Sequence, residues 1–186
     1  MGVRPIVLYP DPILRQRCRA VDRFDEGLRR LAGEMVATLH SAPGVGLAAP
    51  QVGSDQRLFV VDLSVGEDPS ALHVLVNPVL VAASGSQVDA EGCLSIPGLT
   101  ERVARPAEVR FSALGLDGRP FELAGGGLLA RALCHELDHL DGVLFVDRLR
   151  GLRRELARRR LRRLFGAPAG VPARVLPSAG TPQLGQ

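Results

Sequence analysis

An apolar run over residues 128–140, entered through Gly125, Gly126 and Gly127 and left at Gly142, is long enough to form a buried helix. Within it stand His135, Glu136 and His139, in the pattern HELDH. Residues four apart project from one helical face, so the two imidazoles are close enough to share one ion. Glu136 stands beside them and can turn its carboxylate toward the ion's open position, where it would move protons rather than ligate. The HExxH pattern also arises in unrelated proteins, and paired helix histidines are often surface residues, so a third ligand has to decide.

The extended zinc-protease pattern HExxHxxGxxH matches as far as Gly142, but its last histidine falls on Phe145, which cannot bind a metal. The other protease option is a downstream glutamate, and only Glu155 is available, inside an arginine-rich helix that reads as solvated. The donor is therefore sought upstream. Cys93, within EGCLS at 91–95, is the best candidate, because a thiolate binds divalent metals strongly and the adjacent glycine permits a close approach. The three cysteines are too few, and odd in number, for a disulfide framework. Cys18 and Cys134 have no motif around them and read as buried structural thiols. His40 and His73 read as ordinary core or surface histidines.

The remaining pattern places this helix in a mixed setting. At 186 residues the chain is of single-domain size. Leu28, Leu31, Met35 and Leu39 recur at helical spacing over 25–40, with Asp25 as N-cap and Glu26 in the first turn. Short runs of β-branched, aromatic and other apolar residues at 58–63, 74–81, 109–113 and 120–123, the last two joined by the turn pair Asp117 and Gly118, predict a mostly antiparallel sheet region. A second, basic helix is expected over about 147–165. The reading is one catalytic domain over 1–165, followed by a tail at 166–186 whose four Gly and four Pro predict disorder. The opening MGVRPIVLYP is too short and too interrupted by proline for a signal-peptide core or membrane span, so the chain is expected in the cytoplasm with no membrane partner.

Charge is concentrated. All 23 basic residues are arginine, and nine of them lie between Arg148 and Arg163 against the single acid Glu155, a local charge of +8. The rest of the chain sets fourteen arginines against nineteen acids, or −5. Leu149, Leu152, Leu156 and Leu161 predict that one side of this helix packs down while its arginines face solvent. Such a stripe suits phosphate, with a merely solvated charged helix as the alternative, and DNA is not expected as a partner.

GVGLAAPQ at 44–51, EGCLS at 91–95 and HELDH at 135–139 together resemble the three motifs of the bacterial-type peptide deformylases, in the same order and at similar spacing. The resemblance covers most of residues 1–150 and includes the flanking Asp141 and Gly142. Cys134 departs from it mildly, since family members often carry glutamine there. The resemblance implies an α+β fold of mixed, mostly antiparallel sheets around a central metal-binding helix, with N-terminal and C-terminal helices.

It also implies roles. Cys93, His135 and His139 would hold one divalent ion, natively Fe²⁺, with Zn²⁺, Ni²⁺ or Co²⁺ able to substitute. A hydroxide generated at the ion would attack the formyl carbon of a formyl-methionyl nascent peptide, releasing formate, with Glu136 as general acid and base. Gln51 and the backbone N–H of Leu94 would stabilise the oxyanion. Gly44 and Gly46 would let the substrate backbone pair in extended form, with Val45, Leu128 and Ala132 lining a methionine-sized pocket. Glu91, Asp138 and Arg105, the last paired with Glu91, would orient the ligands without reacting. The resemblance further implies docking at the ribosome through the Arg148 to Arg163 helix. A general zinc peptidase, and a deformylase-like binding protein without catalysis, remain as alternatives at this point.

Overall fold

The computed structural model describes residues 2–166. Its elements in chain order are α1 (Glu26–His40), β1 (Gly46–Ala48), β2 (Leu58–Asp62), β3 (Leu72–Ser84), β4 (Gln87–Cys93), β5 (Ile96–Arg105), β6 (Glu108–Leu114), β7 (Pro120–Gly126), α2 (Gly127–Leu140) and α3 (Gly151–Phe165). Four short 3₁₀ turns connect them, two of which, Ala49–Val52 and Phe145–Arg148, bear on the site. The fold is α+β, as the resemblance implies.

Five strands form one antiparallel sheet in the order β1-β2-β3-β6-β7, and β4 pairs with β5 in a separate antiparallel ribbon. β2, with sequence LFVVD, is buried on both faces. Its alternation sends Phe59 and Val61 toward Ala130 and Leu133 of α2, and Leu58 and Val60 toward Leu28, Met35 and Leu39 of α1. The sheet is thus sandwiched between the two helices at this strand. α1 begins where Asp25 accepts a hydrogen bond from the Leu28 N–H at 3.2 Å, and its four predicted leucine and methionine positions are all buried.

α2 packs against β1, β2, β5, β6 and β7. It stops at Gly142, which has φ +70°, and a Cβ there would lie 2.4 Å from the carbonyl oxygen of Arg15. Only glycine fits, and the close approach lets Cys18 N–H donate to the Leu140 carbonyl at 2.8 Å. Beyond it, Leu144, Phe145, Val146 and Leu149 pack with Leu14, Leu99, Val103, Ala157 and Leu161 into a third cluster that fastens α3 onto β5.

Several expectations need correction. The basic helix begins at Gly151 rather than near 147, because Asp147 belongs to the 3₁₀ turn and caps it by accepting from the Leu144 N–H at 2.9 Å. Leu149 and Leu161 are buried, but Leu152 is 73% and Leu156 46% exposed; Ala157 and Leu161, four apart, form the packed stripe instead. β1, β4 and β5 lie where no strand was expected, and the 74–81 run is part of the longer Leu72–Ser84. The expected disordered tail over 166–186 lies, apart from Gly166, outside the described residues. Among the described residues no helix is long and apolar enough to cross a membrane.

Candidate active site and metal centre

Three elements converge on one cleft of about 750 Å³. The β4–β5 ribbon brings Cys93 to the end of β4, where it pairs with Ile96 across a turn formed by Leu94 and Ser95. α2 presents His135, Glu136 and His139. The 3₁₀ turn after β1 supplies Gln51, which is buried.

Cys93 Sγ, His135 and His139 offer one ligand atom each, all within 4.8 Å of one another. Cys93 Sγ lies 3.2 Å from Nε2 of His139. Nδ1 of His135 lies 3.1 Å from Oε2 of Glu91. Burial would raise the Glu91 carboxyl, but hydrogen bonds from Arg105 and His135 outweigh it and hold it down at about 2. Glu91 is therefore an acceptor and His135 donates its Nδ1–H to it. Burial would lower His135, but hydrogen bonds with Cys93 and Glu91 outweigh it and hold the imidazole up at about 10, so an ion ligated through Nε2 would have to displace a proton there. Burial, reinforced by neighbouring His135, holds His139 well below its usual range, in the neutral form that ligation requires. One thiol and two imidazoles are a donor set that fits a divalent ion of borderline softness. Cys134, buried among Phe59, Val61 and Leu133, and Cys18 have thiols that burial pushes up to about 11 and about 12. Neither joins the ligand group.

Glu136 lies beside these donors and is 3% exposed. Burial pushes its carboxyl up to about 7, and Oε2 has no hydrogen-bond partner among the described residues. Oε1 points at β1: a Cβ on Gly46 would lie 2.4 Å from it. Gly46 thus makes room for the carboxylate, a requirement not visible in the motif itself. Gly44 faces Leu94, whose Cδ1 would be 3.1 Å from a Cβ placed there.

Gln51 is held at both ends of its side-chain amide. Its Oε1 accepts from the Ala48 N–H at 2.8 Å, capping the turn, and this fixes Nε2 3.3 Å from Ser95 Oγ and 3.6 Å from Cys93 Sγ. Leu94 lines the same cleft, its side chain against Gly44. β1 ends the five-stranded sheet, so the edge carrying Val45 and Gly46 has no strand partner on its cleft side among the described residues. Leu128, 55% exposed, and Ala132 line the same cleft, and Val45 also packs on the α2 cluster.

Behind the ligands lies a buried charge network. Arg105 makes a bidentate pair with Glu91 at 2.8 and 2.9 Å and reaches Asp138 at 2.6 Å. The expected pair is present, and it links Glu91, behind His135, to Asp138; the buried Nδ1 of His139 has no hydrogen-bond partner among the described residues. Two further arginines escaped the sequence reading. Arg131 Nη1 donates to Glu91 at 2.9 Å, while its buried Nη2 has no partner among the described residues. Arg148, expected on the solvent-facing stripe, instead chelates Asp138 with two hydrogen bonds. For Arg131 a signal existed, since an arginine inside an apolar helix needs buried acids. For Arg148 the charge run concealed it.

The sequence matches the family model described as Polypeptide deformylase over residues 3–155. A protein of Acidobacterium capsulatum named peptide deformylase is 48% identical over 164 residues, covering 88% of this chain and 96% of the relative. Among solved structures, a peptide deformylase from Legionella pneumophila aligns with TM-score 0.81 at 44% identity over 88% of this chain and 95% of its own. That of Thermus thermophilus aligns with TM-score 0.81 at 44% identity, over 87% and 96%.

Proposed function

Because the chain belongs to the polypeptide deformylase family, and is thus a hydrolase that removes N-formyl groups, we propose that it acts on formyl-methionyl nascent peptides with one divalent ion held by Cys93, His135 and His139. The observation that carries this reading is the convergence of those three donors beside a buried carboxylate whose Oε2 has no protein partner among the described residues. When bound, the ion supplies Lewis acidity that brings the pKa of a water toward neutrality.

Glu136 accepts the proton of the attacking water and later delivers it to the amine leaving the formyl carbon. Its raised affinity for a proton suits a group that must both take and give one. Gln51 Nε2 and the Leu94 N–H donate to the formyl oxygen as negative charge develops there. The substrate backbone pairs along Gly44, Val45 and Gly46, with Val45, Leu128 and Ala132 around the methionine side chain. Glu91 orients His135, while Arg105 ties Glu91 to Asp138 and so fixes it in place.

Fe²⁺ is the proposed native ion, with Ni²⁺, Co²⁺ or Zn²⁺ able to replace it. A thiolate beside a redox-active ion is prone to oxidation, so aerobic purification is expected to cost the iron form activity that the nickel form keeps. Formate release from formyl-Met-Ala, measured beside cleavage of unblocked Met-Ala, tests the substrate class. Release from the formylated peptide alone is expected; cleavage of the unblocked peptide instead would favour a general peptidase.

The exposed arginines of α3 support docking on ribosomal RNA as a second proposal, now without Arg148. Arg159 and Arg162 reach Glu155, at 3.2 and 3.7 Å, but both remain half exposed or more. Replacing Arg158, Arg159, Arg162 and Arg163 by Gln is expected to abolish co-sedimentation with ribosomes at low salt while short formyl peptides are still hydrolysed.

A further inference from the structure

The cleft continues past the proposed reaction site. Ala90 and Thr100, both exposed, line it at one end, and the same two residues form the near wall of a second hollow of about 290 Å³. The far side of that hollow is built by Arg102 of β5 with Arg153 and Arg160 of α3. Its one acid, Glu101, accepts from Arg160 at 3.2 Å, so three arginines against one glutamate leave a local charge of +2. Arg102 Nη2 donates to the Val88 carbonyl at 3.0 Å, which lays its guanidinium over β4. Arg153 has no ion pair among the described residues.

The backbone leads in this direction. The β4–β5 register slips between Glu91 and Cys93, leaving Gly92 out of the ladder, exposed, and next to the ligand cysteine. A peptide lying along β4 from Cys93 passes Gly92 and then Ala90. At about 3.3 Å per residue those three steps span about 10 Å, the length of three extended residues of a substrate whose first residue is at the ion.

We infer that the hollow bounded by Arg102 and Arg153 is a specificity subsite that favours acidic side chains at about the fourth and fifth residues of the peptide substrate. This rests on the proposed reaction site. The pairs formed would be exposed to solvent, so each contributes modestly and is screened by salt.

The test compares kcat/KM for formyl-Met-Ala-Ser-Asp-Asp and formyl-Met-Ala-Ser-Lys-Lys, with formyl-Met-Ala, too short to reach the hollow, as the reference. At low salt the acidic peptide is expected to be preferred about fivefold, through KM rather than kcat, and the ratio to fall toward one at high salt. The double substitution Arg102→Gln with Arg153→Gln is expected to erase the preference, and Arg102→Lys with Arg153→Lys to keep it. Equal rates for the two long peptides with the unmodified protein overturn the inference while leaving the reaction site standing. A failure to hydrolyse formyl-Met-Ala at all would instead defeat the reaction site. Loss of ribosome sedimentation in the double Gln variant with peptide preference unchanged would assign these arginines to RNA and also overturn the inference.

Discussion

A Cβ on Gly46 would stand 2.4 Å from Oε1 of Glu136, a separation that real side-chain contacts do not show. The carboxylate therefore occupies the space left by a missing side chain on β1, and the two motifs that carry these residues are fitted to each other. Gly46→Ala is expected to push Glu136 out of line with its proton and lower kcat by about 10²-fold. Bound metal, which neither residue ligates in this account, is expected to stay at the unmodified level. Unimpaired turnover in that variant would show that Glu136 has room to spare.

The ligand assignment separates the cysteines. Cys93→Ala is expected to release the ion or greatly weaken its binding, whereas Cys134→Ala and Cys18→Ala keep it, losing only packing, about 1 kcal/mol each. Metal analysis of the three purified variants checks this. Retention of metal without Cys93 would remove the third ligand.

Arg105 is joined to both Glu91 and Asp138 in the buried network. Arg105→Met is expected to cost about 3 kcal/mol or more of unfolding free energy, since two buried carboxylates lose their shared cation and only Arg131 and Arg148 remain beside them. Urea titration reads this loss. Metal affinity is expected to drop about tenfold or more in parallel as His135 loses its fixed partner.

Asp62, fully buried at the end of β2, accepts from His40 at 2.8 Å, from the N–H and hydroxyl of Ser64, and from the Gly66 N–H. Burial raises its carboxyl, but these bonds outweigh that and hold it at about 2, below its ordinary 3.8. A folded-state pKa below the unfolded one contributes stability present above pH 3.8 and lost as pH falls toward 2. Asp62→Asn is thus expected to cost about 2 kcal/mol at pH 7, with the difference from the unmodified protein shrinking through that acid window. Denaturation curves at several pH values decide it; a cost independent of pH would assign the loss to packing.

How much of this was legible beforehand follows from where the constraints lie. α1 was readable because its buried positions recur at helical spacing, α2 because a long apolar run is bounded by glycines, and β2, β6 and β7 because short runs with apolar and aromatic residues stand between turn residues. β1 was hidden, since a three-residue strand written Gly, Leu, Ala carries no period and sits in a segment rich in Gly and Pro. β4, sequence QVDAEGC, is mostly exposed and acidic, and gains its structure from pairing with β5 rather than from its own pattern. The three candidate ligands stand together as the motifs implied. What the sequence concealed were relations set by tertiary contact: Arg148 turned inward onto Asp138, Arg131 beneath Glu91, and Gly46 as the seat of Glu136.

The most direct test of the central claim is to measure bound metal and formate release together on Glu136→Gln. The account predicts metal content equal to that of the unmodified protein and formyl-Met-Ala hydrolysis slower by at least about 10²-fold. Full metal content with undiminished formate release would contradict it.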